Sequence, residues 1–139
     1  MHVKAVRNVK SRRGFTLVEL VVVILVLGII AAVAAPKMFN TANDARSNGT
    51  RQSLSVVRDA IELYRAREVN YPPAATLATA LKPYLKGPFP AVQHGDNMNS
   101  TAVKAVTENP IVTAGGTEGW LYNESTGEFR VNLASAVTW

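Results

Sequence analysis

Residues 15–35 form a run of 21 residues in which only Thr16 and Glu19 carry polar side chains. A membrane-spanning helix needs about 20 consecutive apolar residues, so this run has the length of a span. A carboxylate inside a span costs about 2.5–3.5 kcal/mol at its centre and less near an end. An acid kept at such a position is read as functional, and it needs a partner.

Charge supports a topological reading. The formal net charge is +5, and Lys4, Arg7, Lys10, Arg12 and Arg13 all precede Phe15, with no acid among them. Without those five, ten basic residues face ten acids, and the remaining chain is neutral. Positive residues flanking a span stay in the cytoplasm, so the N-terminus is expected inside and the bulk of the chain outside. Nucleic acid is not an expected partner.

The residues ahead of the acid read Ser11-Arg12-Arg13-Gly14-Phe15-Thr16-Leu17-Val18-Glu19. This resembles the leader of type IV prepilins and type II secretion pseudopilins, the major pseudopilin most of all. The resemblance implies a cut after Gly14 by a prepilin peptidase and N-methylation of the new terminus, Phe15. It also implies that Glu19 pairs with the Phe15 ammonium of a neighbouring subunit during assembly. In lipid such a pair has few competitors, so it can set axial register. Gly28 and Pro36 match a glycine and a proline that bracket a weakened stretch of helix in the family. Proline in a helix interior clashes with the carbonyl four residues back, so a kink is expected near Pro36; a proline simply marking the membrane exit is the other reading.

Beyond Pro36, Leu54, Val57, Ile61 and Tyr64 recur at spacings of three and four, which predicts an amphipathic helix to about residue 70. Residues 40–50 are more polar and are expected to bend or fray. Asn70-Tyr71-Pro72-Pro73 ends the helix. Thr76 is placed to cap a short helix carrying Leu77 and Leu81. Residues 91–110 read as loop. Short strands are expected at 110–114, around Trp120 and Tyr122, and over Phe129, Val131 and Leu133, where apolar and polar residues alternate. They predict a small antiparallel meander against the helix stripe.

The expected class is therefore α+β and pilin-like: a long N-terminal helix packed on a small antiparallel β-sheet. The organisation is a cleaved leader over 1–14, a transmembrane and assembly helix over 15–36, and a periplasmic or extracellular domain over 37–139.

No catalytic set is found, and the chain is not read as an enzyme. There is no cysteine, and after the leader His94 is the sole histidine. One histidine without cysteine makes neither a nucleophile relay nor a transition-metal site, and His94 is read as a solvated loop residue. No cofactor is expected. Asp96-Asn97-Met98-Asn99-Ser100 is rich in oxygen and leaves calcium near Asp96 as a minor reading, although the calcium-loop spacing is not met. Many type IV pilins close a C-terminal loop with a disulfide; its absence here tilts the resemblance toward pseudopilins.

What the resemblance implies is a structural subunit of a pilus-like filament, in protein export through type II secretion. Its partners would be further copies of itself, the prepilin peptidase and methyltransferase, an inner-membrane assembly platform and minor pseudopilins. It would cross the bacterial inner membrane once. The alternatives are a surface pilin for adhesion, motility or DNA uptake, and an exported soluble protein with a cleaved signal. In a third, a plain single-span anchor, Glu19 would be satisfied within the first helical turn.

Overall fold

The apolar run and the amphipathic stretch beyond it form one helical element. The computed structural model describes residues 14–139. Helix α1 runs Leu17–Glu68, 52 residues, with Gly28 and Pro36 inside it and neither ending it. Residues 40–50 remain helical where bending or fraying was expected. Their outer end is held by tertiary contacts: Thr50, fully buried, donates its hydroxyl to the Arg46 carbonyl at 3.1 Å and accepts the Gln93 N–H at 3.0 Å.

The chain divides into two compact units, one ending at Phe39 and the other spanning Asn40–Trp139. In the first, every described residue is exposed. An apolar helix exposed in this way is stable only in lipid or against other chains.

The second unit has its own core. Leu54, Val57, Ala60 and Ile61 are buried in α1 and pack with Trp120, Tyr122, Phe129 and Val131. The helix stripe thus meets the inward face of the sheet, as the three-and-four spacing predicts. After α1, a 3₁₀ turn at Ala74–Thr76 leads into the short helix α2, Leu77–Ala80. Thr76 stands at the N-cap of α2, but its side chain makes no capping hydrogen bond. Burial of Leu77 and Leu81 instead ties this segment to the core.

Strands β1 (Val103–Ala105), β2 (Trp120–Asn123) and β3 (Glu128–Val131) form a sheet in the order β1-β2-β3. The hairpin β2–β3 is antiparallel, with Trp120 opposite Val131 and Tyr122 opposite Phe129. Gly127 closes it at φ +76°, in the left-handed region that glycine enters without strain. Strand β1, however, pairs parallel to β2, Val103 opposite Trp120 and Ala105 opposite Tyr122. The sheet is therefore mixed, not the antiparallel meander expected. The connection over 106–119 carries the chain back to the start of the sheet, so β2 enters in the same direction as β1.

That connection also explains the missing strand at 110–114. Pro110 has no N–H to contribute to a ladder. The amides that follow are taken by carboxylates: Ile111 N–H donates to Glu128 Oε2 at 2.9 Å, and Thr113 N–H donates to Glu108 Oε2 at 3.1 Å. Ile111 then covers the outer face of the sheet with Leu121 and Val137. All four residues of β2 are buried, so Trp120 and Tyr122 are core residues.

Candidate assembly and processing site

The start of α1 is set by two side chains. Thr16 and Glu19 stand three apart, so they meet across the first helical turn. The Thr16 N–H and hydroxyl both donate to Glu19 Oε2 at 2.8 Å, and the Glu19 N–H donates back to Thr16 Oγ1 at 3.2 Å. This is a reciprocal capping box. The first helical bond follows, from Leu20 N–H to the Thr16 carbonyl at 3.3 Å. A carboxylate here also lies at the positive end of the helix dipole.

Glu19 is thus satisfied within its own chain, as in the single-span-anchor alternative. A carboxylate with local partners at this end of an apolar helix costs less to place at the edge of lipid than a bare one. The structure brings Thr16 and Glu19 together and leaves Gly14 and Phe15 just outside the helix, both exposed. Gly28 and Pro36 lie further along α1, exposed and apart from this turn. Arg12, Arg13 and the rest of the expected leader before Gly14 lie outside the described residues. Thr16 was missed as a functional residue, although its spacing to Glu19, Ser/Thr-x-x-Glu ahead of an apolar run, was visible in the sequence.

The oxygen-rich segment at 96–100 is organised around an amide donor. Asn97 Nδ2 donates to the carbonyls of Glu118 at 2.9 Å, Asn132 at 3.2 Å and Gly116 at 3.3 Å. Asn132, almost fully buried, donates through Nδ2 to Glu118 O at 2.7 Å and Gly115 O at 3.1 Å. Two asparagines therefore clasp the 115–118 loop, and Asp96 is exposed beside them. Among the described residues no three His, Cys, Asp or Glu side chains are grouped to hold a metal ion.

His94 is half-buried and stacks on Trp139, with ring centroids 6.5 Å apart, so the expected solvated loop residue is a packing residue. Arg51 lies over the Trp139 ring, its guanidinium carbon 4.1 Å from the centroid. Arg58 donates to the Phe129 carbonyl at 3.0 Å and ties α1 to β3. Its burial, then the nearby Arg130, lower its pKa. Tyr122 donates its hydroxyl to the Pro72 carbonyl at 2.9 Å, and burial pushes its pKa up. These groups are committed to holding the fold.

Three comparisons bear on the site. Residues 9–35 match the prokaryotic N-terminal methylation motif. Among curated proteins, the type II secretion system core protein G of Pseudomonas aeruginosa is 29% identical over 63 residues, 45% of this chain and 44% of that relative. The core protein G of Klebsiella michiganensis is 30% identical over 63 residues, 45% and 44% of the two chains. That of Aeromonas hydrophila is 24% identical over 101 residues, 73% of this chain and 68% of the relative. The chain spans less than half the length of the first two relatives. No solved structure matches it. With its long apolar helix and small mixed sheet, the chain has a pilin-like α+β fold, carries the prepilin-type methylation motif, and is homologous over about half its length to type II secretion system core protein G.

Proposed function

We propose that this chain is a structural subunit of a type II secretion pseudopilus, acting in protein export and catalysing no reaction. The observation that carries this reading is a helix half that is apolar all round and wholly exposed, headed by one acid. Such a surface is suited first to lipid and then to copies of itself. The chain crosses the inner membrane once, with its N-terminus cytoplasmic and the unit beyond the helix outside. A prepilin peptidase cuts after Gly14. A methyltransferase then moves a methyl group from a sulfonium donor to the Phe15 nitrogen, which gives up a proton. As the subunit joins the polymer, Glu19 exchanges its local partner for the Phe15 ammonium of a neighbour, and the pair sets the axial register. The assembly platform of the inner membrane and minor pseudopilins are its other partners. Gly28 and Pro36 mark where α1 can yield as subunits pack.

The test is mass spectrometry of the N-terminal peptide of the full protein taken from native membranes. The expected species begins at N-methylated Phe15. A chain beginning at Ala35, or one still carrying Met1, overturns the filament reading.

A further inference from the structure

The capping box does more than satisfy an acid. It fixes the residue at which α1 begins, because Thr16 spends its own N–H and hydroxyl on Glu19. Gly14 and Phe15 consequently stand in non-helical backbone. Phe15 is 89% exposed, and nothing lies within 4 Å of where a Cβ on Gly14 would sit. Inside a helix a peptide bond is shielded by the adjacent turns, and its carbonyl is engaged in the helical hydrogen bond. A peptide bond outside the helix lacks that shielding and can be paired along its backbone by an enzyme cleft.

We infer that the Thr16–Glu19 box presents the Gly14–Phe15 bond for hydrolysis by halting the helix at Leu17. Thr16 is then a positioning residue for processing. The inference rests on the processing reading given above. The reaction is the addition of water across the amide: the Gly14 carbonyl carbon gains the hydroxyl, the carbon–nitrogen bond breaks, and the proton goes to the Phe15 nitrogen. The products are a Gly14 carboxylate and a Phe15 ammonium. Glu19 thereby has two separable duties. As part of the box it needs only an acceptor oxygen, which glutamine also has. As the partner of an ammonium in a filament it needs its charge.

The experiment follows precursor conversion of the full chain by pulse-chase in membranes that contain the prepilin peptidase, with alkaline extraction as the control for insertion. Thr16→Ala is expected to be cleaved about fivefold more slowly, the size of a lost N-cap, with insertion unchanged. Thr16→Ser restores the rate, since serine caps as well as threonine. Glu19→Gln is cleaved at the wild-type rate but does not enter filaments. Gly14→Val stays uncleaved. If Thr16→Ala matches the wild type while Gly14→Val remains uncleaved, processing stands and the presentation role is refuted. If the wild-type chain is never cut at Gly14, the processing reading itself is lost, and the presentation role with it.

Discussion

The two halves of α1 share one backbone geometry and differ in everything that decides a solvent. From Leu17 to Phe39 every side chain is exposed, and nearly all are apolar. From Thr50 onward the helix is amphipathic: Leu54, Val57, Ala60 and Ile61 are buried, while Gln52, Asp59, Glu62 and Arg65 face outward or flank them. A stripe about 100° wide is enough when a sheet covers it. An apolar surface on all sides needs a medium that surrounds it. The inner half therefore draws its stability from outside the chain, and the outer half from the chain's own sheet.

If that division is real, the outer unit can be destroyed without touching the inner helix. Trp120 is fully buried, stacks on Phe129 with centroids 5.1 Å apart, and donates its indole N–H to the Pro90 carbonyl at 3.0 Å. Trp120→Ala should cost about 3–5 kcal/mol, a large share of the margin of a small domain. Limited proteolysis of membranes carrying the variant should show the outer unit degraded, while alkaline extraction still leaves the chain in the bilayer. Loss of both together would mean that the two halves are not independent.

A charge offers a sharper contrast because the same change can be made in both halves. Leu25→Arg places a guanidinium near the middle of the apolar run and should cost about 2.5–3.5 kcal/mol of insertion. Leu63 is already 56% exposed on the outer half. Leu63→Arg should change stability by no more than about 0.5 kcal/mol. The retained membrane fraction reads the first variant, and protease resistance of the outer unit reads the second. Equal losses from the two would contradict the assignment of lipid to one half and water to the other.

How far the sequence anticipates this structure depends on the range of the interaction. Glu19 was legible because an acid contradicts the apolar residues around it, and the stripe was legible because helical spacing is local. The β2–β3 hairpin was legible for the same reason: alternation plus a glycine at the turn. Strand β1 was not. Val103-Lys104-Ala105 holds one β-branched residue, and it becomes a strand only because Trp120–Asn123 lies alongside. Residues 110–114 look more strand-like, yet Glu108 and Glu128 claim their amides. At the candidate site, the partner of Glu19 within the chain was three residues away and readable. The Asn97 clasp was not, since its three carbonyls arrive from residues 116, 118 and 132. Such convergence exists only once the chain has folded.

The ends of α1 repeat the contrast between its halves on a smaller scale. The inner end is closed by the Thr16–Glu19 box, which pairs the Thr16 and Glu19 N–H groups where lipid would penalise a bare donor. The outer end is exposed and carries a worse solution. Val69 follows the last helical residue, donates its N–H to the Arg65 carbonyl at 2.9 Å, and adopts φ +69°. A β-branched residue in the left-handed region carries about 1–2 kcal/mol of strain. Val69 is 82% exposed, so little packing offsets that strain. Glycine relieves it but loses more freedom on folding, which takes back about 0.5–1 kcal/mol. Val69→Gly should therefore stabilise the outer unit by about 0.5–1 kcal/mol. Val69→Ala removes the apolar branches but keeps a Cβ, so it should gain less than glycine does. Denaturation midpoints of the full-length variants in detergent separate the two. If alanine gained as much as glycine, the source would be exposure of the valine methyls to water and not the backbone angle, and the outer end of α1 would be as well terminated as the inner one.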